Sequence, residues 1–239
     1  MRSLLVSLAF SALAIAQPQR PVETFKTQSG ELKVTPIRHA SLMIEAGGKI
    51  IHVDPWSQGN YEGLPKADLV LITDIHGDHM DPKAIAMVKK EGTQVLAPAE
   101  VVKTVTDATA IANGQTKTVG QISIEAIPMY NLKRGPSEGK LFHDKGRGNG
   151  YIVSFGGTRL YIAGDTEGHP EMRALKNIDV AFVPMNLPYT MPPDEAADAV
   201  KAFKPKVVYP YHYRESKTEE FAKALEGSGI EVRLRNWYY

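Results

Sequence analysis

The chain contains no cysteine. That excludes disulfides, thiolate nucleophiles and cysteine-bound zinc. Any metal site must use histidine and carboxylate, with water or substrate completing it. Net charge is nearly absent as well: 28 Lys and Arg stand against 27 Asp and Glu, leaving +1. No strong global field steers nucleic acid or an anionic membrane toward such a protein, so neither is an expected partner. No Pro/Gly/Ser-rich linker interrupts the chain after residue 31. With 239 residues, 43% hydrophobic and 23% charged, the composition is that of an ordinary globular protein.

What is present begins with an apolar run. "MRSLLVSLAFSALAIAQPQR" carries Arg2, apolar residues from Leu4 to Ala16, and the A-x-A triplet Ala14-Ile15-Ala16. The run is short for a membrane span and fits a secretory signal over 1–16. The expectation is an exported protein, periplasmic or secreted, without stable membrane insertion after cleavage. Residues 17–30, with Pro18 and Pro21, read as an exposed leader. Residues 31–239 read as a single domain.

Short strands come first: "ELKVTPI", "SLMIEA" and "KIIHVD", with Gly47-Gly48 as a hairpin signal. "DLVLIT" is a continuous apolar run of the kind buried on both faces of a sheet. Asp81-Pro82 starts a helix, the Asp as cap and the Pro in the first turn. "QVLAP" is a strand and "AEVVKTVTDA" a helix. The strands "QISIEAIPMY", "NGYIVSFGG" and "GTRLYIAGDT" follow, the last two joined at Gly156-Gly157. Then "PEMRAL", "PPDEAADAVKAF" and "EEFAKALEGSG" read as helices between the strands "VAFVPMN", "KVVYPYHY" and "IEVRLR". This order suits two packed sheets with helices outside. Hairpin strands followed by helices occur in both halves, a sign of duplication.

Chemistry concentrates in "TDIHGDHMD", Thr73 to Asp81. Asp74, His76, Asp78 and His79 follow a buried strand and precede a capped helix. Carboxylates so close together repel unless a proton or cation sits among them, and a divalent metal meets that need. An EF-hand loop counted from Asp74 would need Gly and Glu where His79 and Ile85 stand. The helical H-E-x-x-H zinc motif is also absent. Asp165 and His212 stand at the ends of two other apolar strands. Each alone would read as a turn or structural residue; their shared placement makes them ligand candidates.

The order D-x-H-x-D-H, G-D-T, P-Y-H-Y resembles the metallo-β-lactamase fold superfamily from about residue 31 to the end. "IRHASLMIEAGGKIIHVDPW" is similar to the opening of its ascorbate-6-phosphate lactonase-like and N-acyl phosphatidylethanolamine phospholipase D-like branch. The resemblance implies a four-layer αββα sandwich of two mixed β-sheets, with one or two divalent metals at its edge. It implies that Asp74 and His76 bind a first metal, that Asp78, His79 and His212 bind a second, and that Asp165 bridges them. A metal-bound hydroxide would then attack a small ester, lactone or phosphoester.

Two departures bear on that expectation. Asp74 stands where the family carries His, which hardens the site. Zinc remains the first expectation, with manganese or iron as alternatives. The family's mid-chain His is replaced near "AIPMYN" by Asn131, with His143 as the alternative. His143 is read as ligand or proton donor, and Asp78 as a group that orients the hydroxide. His39 and Asp54 are candidate outer partners of the ligands. His52 and His169 read as structural. The cations Lys133, Arg134, Lys140, Lys145 and Arg147 could hold a substrate phosphate or carboxylate, although an ordinary solvated loop is the plainer reading. A β-lactam substrate does not follow from the fold alone. The competing function is a metal- or ligand-binding protein without hydrolysis. The expected partner is a small-molecule substrate, and a homo-oligomer is compatible with the sequence.

Overall fold

The computed structural model describes residues 20–238. The apolar run over 1–16 lies outside them. Among the described residues, fourteen strands form two seven-stranded sheets. The first holds β1 (Glu23–Thr27), β2 (Gly30–Arg38), β3 (Ser41–Ala46), β4 (Lys49–Val53), β5 (Leu69–Leu71), β6 (Gln94–Ala97) and β7 (Thr109–Ala110), in that spatial order. The second holds β8 (Thr116–Val119), β9 (Ile122–Met129), β10 (Gly148–Phe155), β11 (Thr158–Ile162), β12 (Val180–Pro184), β13 (Val207–Tyr211) and β14 (Glu231–Val232). In each sheet the first four strands pair antiparallel and the last four parallel. The two halves thus share one plan, matching the repeat legible in the sequence.

Three apolar layers separate four structural ones. On β5, Leu69 and Leu71 face the opposite sheet while Val70 faces outward. On β12, Val180 and Phe182 face inward while Ala181 and Val183 face outward. That two-residue period is why these strands read as unbroken apolar runs. Outside the first sheet, α1 (Pro82–Val88) and α2 (Ala99–Val102) contribute Ile85, Val88 and Val101. Outside the second, α3 (Pro170–Arg173), α4 (Pro193–Phe203) and α5 (Thr218–Ala224) contribute Met172, Val200 and Phe221. The result is a helix–sheet–sheet–helix sandwich.

Two glycine pairs make the corresponding hairpins. Gly47 and Gly48 have φ of 54° and 71°, and Gly156 and Gly157 have 53° and 81°. Such left-handed pairs match the twist of a two-residue hairpin. Asp81 caps α1: its Oδ1 accepts from Lys83 N and Ala84 N.

Three local expectations change. The leader expected over 17–30 is partly a strand, because Glu23–Thr27 pairs with β2 and Glu23 is buried against Arg233, Arg235 and Tyr209. The helix expected over "AEVVKTVTDA" stops at Val102; the β-branched Thr104, Val105 and Thr106 that follow disfavour its continuation. The last strand shrinks to Glu231–Val232, and Arg233 and Arg235 turn back to Glu23 instead.

Candidate metal centre

The site is assembled from strand ends. Asp54 follows β4, Thr73 and Asp74 follow β5, Asp165 follows β11 and His212 follows β13. The carboxyl ends of parallel strands open into loops and leave a crevice there. His39 reaches the same edge after β2, and His143 and Arg147 reach it before β10. Gly164 has φ 67°, and an added Cβ would lie 2.5 Å from Met129 Sδ. Only glycine lets the chain turn there and deliver Asp165.

Three groups of donors form. Asp74, His76 and His143 each offer an atom within 4.8 Å of the others, and so do His79, Asp165 and His212, and His39, Asp78 and His212. Asp165 joins the first two. Its Oδ2 lies 3.3 Å from His143 Nε2 and 3.4 Å from His79 Nε2, and its Oδ1 lies 3.4 Å from His212 Nε2. His79 Nε2 and His212 Nε2 face each other at 3.2 Å. Asp78 Oδ2 is 3.5 Å from His212 Nε2 and 3.1 Å from His39 Nε2.

This donor set fits divalent metal. Donors around a tetrahedral ion at ~2.0–2.1 Å stand roughly 3.4 Å from one another. Most separations above fall near that value. His143 Nε2 and Asp165 Oδ1 are buried and have no hydrogen-bond partner, which a metal would supply. Asp74 Oδ2 to His76 Nδ1, at 2.6 Å, is instead a hydrogen-bond distance.

The ligand candidates are held from behind. Asp54, fully buried, accepts from Thr73 N at 2.8 Å, Thr73 Oγ1 at 2.6 Å and His79 Nδ1 at 2.8 Å. His79 Nε2 is thereby left to face the site. Asn131 Oδ1 accepts from His143 Nδ1 while Asn131 Nδ2 donates to Tyr189 O. His143 Nε2 stands in the donor group, and Asn131 lies behind it. An outer carboxylate or carbonyl that fixes the tautomer of a ligating imidazole is the usual support of such centres. His39 is held similarly. Arg214 N donates to Tyr238 Oη at 2.7 Å, Tyr238 Oη bonds His39 Nδ1 at 2.7 Å, and His39 Nε2 donates to Asp78.

Electrostatics keep the carboxylates ionised. Burial alone would raise Asp74, but its hydrogen bond from His76 and the charges of His143, His79 and Arg147 hold it at about 2. Burial would likewise raise Asp78 and Asp165. The His212 and His39 hydrogen bonds hold Asp78, and the His212 and His79 charges hold Asp165, well below the carboxylate range. Burial lowers His39 to about 4 against the opposing pull of Asp78.

Arg147 sits on Asp74 in bidentate fashion, with Nε to Oδ1 and Nη2 to Oδ2 both at 3.2 Å. The other loop cations are consumed by carboxylates. Lys133 pairs with Glu195 at 2.8 Å, Arg134 with Glu167 and Glu195 at 2.8 Å each, and Lys145 with Glu171. Lys140 is exposed and lines no part of the site cavity. The plainer reading of this loop, a solvated segment, agrees with these pairings, which leave only Arg147 of its cations at the donors. His52 Nε2 bonds Pro65 O, and His169 caps α3, both away from the donor groups. Trp56 stands 5.2 Å from the His39 ring.

A cavity of about 290 Å³ opens over the donors, lined also by Phe142, Asn186, Tyr189 and Arg214. Sequence reading missed these four and Tyr238. Asn186 and Arg214 had one usable signal, since each follows an apolar strand by a few residues as the ligand candidates do. Tyr238 had none.

A family profile described as a beta-lactamase superfamily domain matches residues 33–212. The chain belongs to the metallo-β-lactamase superfamily of metal-dependent hydrolases. It is 32% identical over 215 residues to a UPF0173 metal-dependent hydrolase of Thermococcus kodakarensis, covering 84% of this chain and 95% of that one. It is 34% identical over 226 residues to another from Pyrococcus furiosus, covering 85% and 96%. Among solved structures, a Parabacteroides distasonis protein is 46% identical, with a TM-score of 0.86 over 91% of this chain and 99% of that chain. Igni18, a metallo hydrolase from Ignicoccus hospitalis, is 25% identical, with a TM-score of 0.73 over 87% and 96%. These names do not confirm the narrower lactonase-like and phospholipase D-like branch.

They do correct one expectation. The archaeal UPF0173 relatives show no sign of a signal peptide or export, which overturns the reading of an exported, periplasmic or secreted protein. A short run of small apolar residues ending in A-x-A is too unspecific a pattern to stand against them. Among the described residues no helix is long and apolar enough to cross a membrane.

Proposed function

We propose that residues 31–239 act as one metallo-hydrolase domain that opens a small ester, lactone or phosphoester. The observation that carries this reading is Asp165, whose two oxygens face His143 and His79 on one side and His212 on the other. Asp74, His76, His143 and Asp165 would hold one divalent ion, and Asp165, Asp78, His79 and His212 a second. Zinc is the first choice, and the oxygen donor of Asp74 admits manganese or iron. Bound there, the ions would polarise the scissile group and lower the pKa of a water toward neutrality.

The remaining work falls to the chain's own side chains. Asp54 and Asn131 bond the Nδ1 atoms of His79 and His143, so both Nε2 lone pairs face the cavity. Asp78 is ionised, lines the cavity and is oriented by His39. Its carboxylate would accept a hydrogen bond from the attacking water and aim it. Phe142 and Tyr189 would exclude bulk water.

The binding-only alternative drew its support from Asn131 in a ligand's place; the position of His143 Nε2 in the donor group supports the hydrolase reading instead. The test is metal content together with hydrolysis of lactones, aryl esters, phosphodiesters and β-lactams before and after chelation. The expected result is chelator-sensitive turnover of at least one class, with His76→Ala losing metal from the first position. Two equivalents of metal without chelator-sensitive turnover would return the binding-only reading. Anomalous scattering identifies the metal.

A further inference from the structure

We infer that Arg214 and Asn186 form an anion-binding subsite that takes the carboxylate or phosphate of the substrate. The inference rests on the hydrolase reading above and supplies its missing substrate class. Both residues line the cavity that holds His76, Asp78, His143 and Asp165.

Arg214 differs from the cations around it. Lys133, Arg134, Lys145 and Arg147 are each paired with a carboxylate at short range. The Arg214 guanidinium makes no hydrogen bond among the described residues. Its nearest carboxylate is Asp78, at 4.0 Å, and it lies 5.6 Å over the Tyr189 ring. Half of its side chain is exposed at the cavity mouth. Tyr189 in turn meets Phe142 edge-to-face at 4.9 Å. A stacked guanidinium keeps its planar N–H fork available, and that fork matches carboxylate or phosphate geometry.

Its aim is built into the backbone. His212 and Arg214 both have left-handed φ, 48° and 44°, although neither is glycine. The surroundings hold this unfavourable backbone in place: His212 N donates to His39 O at 3.2 Å, and Arg214 N donates to Tyr238 Oη at 2.7 Å. The turn that presents a ligand candidate also turns Arg214 into the cavity.

Asn186 supplies an independent observation. It is 2% exposed, yet its Oδ1 has no partner. Its backbone is locked, with its N donating to Thr190 Oγ1 at 2.7 Å and its O accepting from Tyr189 N and Thr190 N at 2.9 Å each. The unused Oδ1 is an acceptor and cannot meet an oxyanion; turned over, the amide offers its NH2 to the anion instead. The cavity, at about 290 Å³, lies at the small end of the ~300–1,000 Å³ of small-molecule sites. The substrate class is therefore a compact ester, lactone or phosphoester that carries an oxyanion beside the scissile bond.

The test titrates glutarate, inorganic phosphate and neutral glutaramide into the metal-loaded full chain by calorimetry. Wild type is compared with Arg214→Met, Arg214→Lys and Asn186→Asp. Wild type should bind at least one anion about tenfold or more tighter than glutaramide, the scale of a hydrogen bond to a charged group. Which anion binds separates carboxylate from phosphate. Arg214→Met should abolish that preference, Arg214→Lys should keep part of it, and Asn186→Asp should weaken it by repulsion. Metal content and the thermal midpoint confirm that each variant is folded. An anion preference equal in wild type and Arg214→Met overturns the inference, because the metals alone would then bind the anion. The two readings fail separately. Arg214-dependent anion binding without hydrolysis of any ester, lactone or phosphoester defeats the proposed reaction and leaves the subsite standing.

Discussion

Replacing Asp54 by asparagine tests how the metal centre is held. The Asp54 carboxylate is fully buried and accepts three hydrogen bonds, two from Thr73 and one from His79 Nδ1. Alanine would orphan three buried donors at about 1–3 kcal/mol each, a large share of the ~5–15 kcal/mol that stabilises a domain. Asparagine keeps the shape and one oxygen. It turns an NH2 toward either Thr73 or His79 and removes the charge. The expected loss is about 2–3 kcal/mol in urea unfolding of the metal-free protein, one charge-assisted bond broken and one donor opposed. The more telling effect is on metal. Without its carboxylate partner His79 no longer holds its Nε2 lone pair toward Asp165, and affinity should fall about 10- to 100-fold. At fixed free metal, each tenfold loss removes about 1.4 kcal/mol of the extra stability that metal confers. Chelator competition and paired urea melts, with and without metal, read both numbers. A stability loss with metal affinity unchanged within about twofold would refute the orienting role and leave Asp54 as a structural acceptor only.

Three further outcomes are expected. Arg134 holds Glu195 at about 2, against some burial and with help from Lys133. A carboxylate depressed in the folded state contributes stability above its ordinary pKa, near 4.5, that disappears as pH falls toward 2. Acid unfolding curves of Glu195→Gln should therefore be flatter than wild type between about pH 4.5 and 2, and equal slopes would discount the ion pair. Gly164→Ala should lower the thermal midpoint, since φ 67° and the 2.5 Å approach to Met129 Sδ leave no room for a methyl group; about 1–2 kcal/mol comes from the backbone alone. It should also reduce metal content by displacing Asp165, and full metal occupancy would contradict the placement of that residue. Tyr238→Phe removes the hydroxyl shared by Arg214 N and His39 Nδ1, which should cost about 1–2 kcal/mol in denaturant melts; a stability equal to wild type would mean that water replaces it.

Several parts of the site were legible because they are local. Asp74, His76, Asp78 and His79 lie within one loop, and Asp165 and His212 each follow a strand marked by unbroken apolar residues. The Asp81 cap and the two Gly-Gly hairpins depend on a few adjacent residues, so they read directly. The choice between Asn131 and His143 did not. The two residues flank one loop excursion whose ends are joined by Asn131 N donating to His143 O at 2.9 Å. Both therefore reach the site, and only side-chain direction separates donor from support. Arg147 is a similar case. The sequence marked it as basic and near the site, but its bidentate contact with Asp74 spans 73 positions.

By itself the sequence determined which chemistry was available: without cysteine, only imidazole and carboxylate could gather around a metal. It also marked the strands buried on two faces, because such burial demands an apolar residue at nearly every position. Tertiary structure decided how charge was distributed among the loops. Four cations were matched to carboxylates at short range and Arg214 was left 4.0 Å from Asp78, since Coulomb interactions depend on separation in space, which residue order does not record. The same folding brought Tyr238 back to His39 and left Asn186 buried with an unused oxygen beside the donor groups.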